Sequence, residues 1–178
     1  MVIAAIAATI LFMIAVVAAV IASGAYDVAA DVQHTALVAR LIAFAREQSI
    51  ESRASGIKVP ALDNPKMIAE GEEHYAAMCT GCHLAPGMHE NEMRPGLNPK
   101  PPVLAALPTG DPREQFWIIK HGIKMTAMPA WGVTHSDEEI WNIVAFLQKL
   151  PGMSPARYRA LTADAGDHHE HDRMEMPH

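Results

Sequence analysis

The chain has 178 residues, enough for one folded domain with extensions. Half of them are hydrophobic, but aromatics make up only 6 % and 13 residues are Pro, which suggests a small loop-rich domain rather than a large β-sandwich or barrel. Two Cys exclude a disulfide framework, and a formal charge of −6 argues against sequence-independent binding to nucleic acid.

The run Val2 to Ala22 is apolar apart from Thr9, and the first charged residue is Asp27. At about 1.5 Å per residue a helix over this run reaches roughly 32 Å, enough for a bilayer core of about 30 Å. A cleaved signal peptide is the competing reading, helped by the small residues Ser23-Gly24-Ala25. Against it, no Lys or Arg precedes the run, which also exceeds the usual apolar core of about 7–15 residues. Residues 1–23 are therefore read as a retained transmembrane anchor. The first cation, Arg40, lies too far from the span to orient it.

Residues 24–63 mix Val28, Val32, Leu37, Leu41, Ile42 and Phe44 with Arg40, Arg46 and Glu47. The spacing predicts an amphipathic helical stalk ending near Ser55-Gly56, on the membrane surface or against a partner. Residues 64–150 follow. Asn64-Pro65 starts a helix through Met67, Ile68, Gly71, Tyr75 and Met78, since Asn can cap free amides and Pro suits the first helical position. The Pro- and Gly-rich stretch Ala85 to Pro102 excludes regular helix or a central strand. Asp111-Pro112-Arg113-Glu114 starts a helix ending at His121-Gly122. Ser136-Asp137-Glu138-Glu139 has the spacing of a capping box and opens a last helix, running through Leu150 to the stop at Pro151-Gly152. No strand pattern competes, so the fold class is all-α. Residues 151–178 read as a polar, disordered tail rich in His and Met. Each section after the anchor is mildly acidic; residues 65–150, for example, hold seven Lys/Arg against ten Asp/Glu, which disfavours broad attraction to anionic lipid.

The pentad Cys79-Thr80-Gly81-Cys82-His83 is the attachment signature of c-type haem. Cys residues three apart at the end of a helix point to one side and can each form a thioether with a haem vinyl group. His83 then lies within reach of the iron. A redox dithiol or half of a zinc site is the alternative for Cys-x-x-Cys alone. A second Cys pair and a strand pattern, which those alternatives need, are both missing, and the adjoining His favours haem. A second axial ligand is expected from Met, whose thioether stabilises ferrous iron. Met128 is favoured over Met125 because Pro129 biases it toward extended geometry. His121 is a rival, although a His in the last turn of a helix is commonly a surface residue there. His74 and His89 are not assigned to iron.

Gly71-x-x-x-Tyr75-x-x-x-Cys79-x-x-Cys82-His83, followed by Met128-Pro129 and a terminal helix with Trp141 and Phe146, resembles a class I cytochrome c. It resembles in particular the monohaem domain of subunit III of cbb3-type oxidases and its membrane-anchored relatives. The resemblance covers roughly Asn64 to Leu150. It implies that the first and last helices cross near Gly71, with Tyr75 packed around Trp141 and Ala145. It also implies that a Pro carbonyl accepts a hydrogen bond from the axial His; Pro102 is assigned, with Pro101 and Pro99 as alternatives. One covalent haem c cycling between Fe(II) and Fe(III), with both axial positions filled and so no open coordination site for oxygen or peroxide, would make the protein an electron carrier rather than an enzyme. By the same resemblance it sits in a bacterial inner membrane, single-pass, with the haem domain in the periplasm. Its expected partners are a quinol-oxidising complex, a terminal oxidase or a periplasmic dehydrogenase. A different reading starts from the tail. His168, His169, His171, Met174, Met176 and His178 form a ligand set that suits copper, so the alternative function is a copper-handling or copper-tolerance haem protein.

Overall fold

The computed structural model describes residues 1–161 and divides the chain into two compact units, Met1–Gln33 and His34–His178. Among the described residues all regular structure is helical.

The first unit is built on α1 (Val2–Ala22), in which no residue is buried. Its length and composition are those of a helix able to cross a membrane. Ser23 closes it, donating its amide to Ala19 O, and Gly24 follows with a left-handed φ of +67° and donates its own amide to Ile21 O.

The second unit opens with α2 (Ala36–Ala54). This helix is shorter than its apolar pattern suggests. Val28 and Val32 precede it in an irregular segment, where Asp27 accepts the amide of Ala29 at 2.9 Å and turns the chain. At the other end Ser55, in right-handed helical geometry, closes the helix; Gly56 does not take the left-handed conformation expected of a cap. Nor is α2 a free-standing stalk along its whole length, because Ile50 and Ala54 are buried within the second unit. Leu37, Leu41, Ile42 and Phe44 remain exposed.

Three capped helices carry the core. In α3 (Pro65–Met78) the Asn64 side chain accepts the Lys66 amide at 2.9 Å. In α5 (Pro112–His121) Asp111 does the same for Arg113 at 2.8 Å. In α6 (Asp137–Leu147) Ser136 and Glu139 exchange both bonds of a capping box. Between α3 and α5 lies the single turn α4 (Thr80–His83), formed by the pentad itself. Helix α6 ends at Leu147 rather than Leu150; the chain tightens there through a Lys149 amide bond to Phe146 O, and Leu150 is fully buried.

Helices α3 and α6 meet at Gly71. A Cβ there would sit 1.8 Å from Asn142 O and 2.4 Å from Asn142 C, so only a residue without a side chain permits the contact. Beyond the crossing, Tyr75 packs on Phe146 with ring centroids 5.3 Å apart. Trp141, expected beside Tyr75, stacks instead on Phe116 of α5 at 4.2 Å. The core is completed by Ile140, Ile143, Val144 and Leu150, all essentially inaccessible.

The expectation of disorder from residue 151 onward does not hold for the part that is described. Residues 155–161 are helical, and Tyr158 is buried in the core 6.4 Å from the Phe146 ring. Its physical basis is local: Ser154 Oγ accepts the Arg157 amide at 3.2 Å and Pro155 occupies the first helical position. Pro155 also packs where a Cβ on Gly87 would lie, which fastens this segment over the loop that follows the pentad.

Candidate haem site

The end of α3 positions the two Cys. Cys79 closes the helix by donating its amide to Tyr75 O at 3.0 Å, and the next turn forms when the Cys82 and His83 amides both reach Cys79 O, at 3.1 and 2.8 Å. Leu84 then takes a positive φ of 59°, a strained conformation for a side-chain-bearing residue. Its carbonyl receives the Tyr75 hydroxyl at 2.7 Å in a buried bond. The pentad is thus tied to the α3–α6 core directly behind it.

Cys79 and Cys82 are both half-buried and unbridged. Burial, reinforced by the neighbouring Cys82, pushes the Cys79 thiol up to about 12. A redox dithiol needs a lowered thiol pKa, so this environment is wrong for that chemistry and suits a sulfur that is covalently capped.

Nδ1 of His83 lies 2.9 Å from Pro102 O. A carbonyl only accepts, so Nδ1–H donates and the Nε2 lone pair is left free to bind a metal. Burial lowers the His83 pKa; the bond to Pro102 opposes this, and the Arg94 charge lowers it further. The ring is thereby held neutral, the form that ligates iron. Of the three carbonyls that the resemblance offers, Pro102 O pairs with His83, while Pro101 O accepts from Arg94 at 2.6 Å.

Arg94, which no sequence motif marks, organises the Pro-rich loop. It is only 4 % exposed, and besides Pro101 O it reaches Cys82 O through Nε at 3.0 Å and pairs with the Glu90 carboxylate. Glu90 also pairs with Lys100, and the Lys100 bond chiefly holds its carboxyl below the usual range. Asn91 adds a second clamp. Its Nδ2 donates to Gly81 O at 2.6 Å and its Oδ1 accepts the Met93 and Arg94 amides. Such an Asn turn is a sequence-legible signal; the convergence of Arg94 on two distant carbonyls is not.

The loop between α5 and α6 is closed on itself. Met128 donates its amide to Thr126 Oγ1 at 3.1 Å and accepts the Ile123 amide at 3.2 Å, while the Thr126 hydroxyl donates to Ile123 O at 2.7 Å. Gly122 makes this possible. Its φ is +66°, and a Cβ would lie 2.7 Å from both Met128 O and Pro129 C. Met128 is half-buried against the same core that Cys79 touches, and Trp131 joins it there. Met125 is 92 % exposed, with a positive φ of 58°. His121 is exposed with its ring against Trp117 at 5.0 Å, and His74 faces His135 at 5.7 Å. The six tail residues read as copper ligands, His168 to His178, lie outside the described residues, and no described observation favours a copper role.

The donor set fits a c-type haem: two sulfurs three residues apart, an oriented imidazole with a free Nε2, and a thioether on a doubly anchored loop. Residues 66–147 match the family model described as Cytochrome C oxidase, cbb3-type, subunit III. No curated protein and no solved structure matches the chain. Residues 66–147 therefore form a class I c-type cytochrome domain of the cbb3 kind, a domain that carries covalent haem c. The match leaves α1, α2 and the residues after Leu147 outside. Its function is electron transfer rather than catalysis.

Proposed function

We propose that the protein is a membrane-anchored electron carrier whose haem domain works in the bacterial periplasm. Cys79 and Cys82 hold the haem covalently, and His83 and Met128 are its axial ligands. Bound haem c supplies a one-electron Fe(II)/Fe(III) couple. The chain's own residues set the terms of that couple: Pro102 keeps the His83 proton on Nδ1, and Thr126 and Ile123 hold Met128 in place. With both axial positions filled, oxygen and peroxide have no site to bind, which favours electron passage over turnover.

The observation that carries this reading is the His83–Pro102 bond, because it fixes the imidazole tautomer that iron requires within the pentad of a c-type haem. Helix α1 supports anchoring, and anchoring raises the effective concentration of a carrier near membrane-bound partners. Those partners are of the respiratory chain: a quinol-oxidising complex, a terminal oxidase or a periplasmic dehydrogenase.

The test uses membranes from a host that matures the protein. Respiratory substrate should reduce its haem, oxygen should reoxidise it, and an oxidase inhibitor should hold it reduced. Protease added to spheroplasts should remove the haem domain. A haem that neither reduces nor reoxidises under these conditions, or that is protected from protease in intact spheroplasts, would overturn the proposal.

A further inference from the structure

We infer that Arg94 is a positioning residue for the axial histidine, acting by stapling together the two backbone segments between which the His83–Pro102 hydrogen bond spans. The inference rests on the haem reading for its consequence, but the geometry belongs to the chain.

Cys82 O is the carbonyl immediately before His83, and Arg94 Nε donates to it at 3.0 Å. Pro101 O is the carbonyl immediately before Pro102, and Arg94 Nη2 donates to it at 2.6 Å. The imidazole of His83 and the carbonyl of Pro102 then meet at 2.9 Å. The guanidinium and the imidazole thus bridge the same two strands of chain one residue apart. Neither Pro101 nor Pro102 has an amide with which to hold the loop by itself. A side chain from elsewhere has to do so. The planar fork of Arg meets two carbonyls at fixed spacing, which a Lys ammonium cannot reproduce.

Its charge is balanced by Glu90, which is in turn paired with Lys100. Arg94 itself is almost wholly buried, while Glu90 is half-exposed. The carbonyl bonds are therefore the sheltered part of the network and the ion pair its solvent edge. Firm donation from Nδ1 makes the imidazole a stronger donor to metal and favours the ferric state. Loosening the loop weakens that donation and raises the reduction potential.

The experiment follows hydrogen exchange at the His83 ring Nδ1–H by NMR in the reduced full-length protein in detergent. Arg94→Lys, which keeps the charge, should speed that exchange at least tenfold and raise the potential, with both axial ligands retained. Glu90→Gln should leave the exchange unchanged. In the unaltered protein the Arg94 Nε–H should exchange slowly, as a donor held on the Cys82 carbonyl. Exchange at His83 unchanged in Arg94→Lys, or an Arg94 Nε–H that exchanges as fast as a free guanidinium in the unaltered protein, would overturn the inference. The measurement in the unaltered protein stands even if the variant does not fold. A chain lacking covalent haem would defeat the haem reading alone, because the Arg94 Nε–H bond to Cys82 O belongs to the chain and is readable with or without haem.

Discussion

Thr126 grips Met128 through one hydroxyl: its oxygen accepts the Met128 amide at 3.1 Å while its proton goes to Ile123 O at 2.7 Å. Met125, the residue just before Thr126, points away from the core and is 92 % exposed. Met128→Ala should therefore abolish the far-red sulfur–iron charge-transfer band and lower the potential by on the order of 0.2 V, within the roughly 0.8 V that axial ligands span. Met125→Ala should leave band and potential alone. Visible spectra and redox titration of the two variants check this, and the reverse pattern would assign the ligand to Met125.

The Gly71 contact is with backbone, so a substituent cannot be absorbed by a rotamer change. Gly71→Ala should cost about 3 kcal/mol or more, at the high end for overpacking, because α3 and α6 must separate. Denaturant unfolding followed by Trp fluorescence measures it; a loss under about 0.5 kcal/mol would mean that the helices part easily.

Tyr75→Phe keeps the ring on Phe146 and removes only the hydroxyl that serves Leu84 O. The buried carbonyl is left without its donor, at a cost of about 1–3 kcal/mol. Unfolding free energies of the two proteins give the difference, while haem content should not change.

Glu72 is buried in α3 with Oε1 unpartnered, and burial, with Glu73 adding to it, raises its carboxyl to about 7. A raised folded pKa means that the folded state holds its proton more tightly than the unfolded chain does. Stability is then full below the ordinary value of 4.5, falls as pH climbs toward about 7, and levels off above it. Glu72→Gln should flatten that slope and be the more stable protein at pH 8 by on the order of 1–3 kcal/mol. Unfolding midpoints between pH 4 and pH 8 decide it; parallel slopes would exclude Glu72 as the source.

What the sequence made legible was mostly local. Asn64-Pro65, Asp111-Pro112 and Ser136 with Glu139 act within a single turn, so their cap bonds could be read from neighbours in the chain. Ser154-Pro155 carries the same signal, but the polar sequence around it also has the composition of a disordered tail. Long-range consequences were harder. Burial of Ile50 and Ala54 makes the end of α2 part of the second unit, yet its apolar spacing looks the same whether that face meets protein, lipid or solvent. Trp141 and Phe146 both lie on α6, and which of them meets Tyr75 depends on how the helices cross, not on their spacing. Arg94 was invisible because its partners are carbonyls brought together only by the folded loop.

Covalent haem held by Cys79 and Cys82 is the claim on which the rest depends, and the pyridine haemochrome of protein matured in a competent host tests it most directly. The account predicts one haem per chain, retained through denaturation and acid extraction, and lost when both Cys are replaced by Ala. A colourless protein, or haem that extracts freely from the unaltered chain, would contradict it.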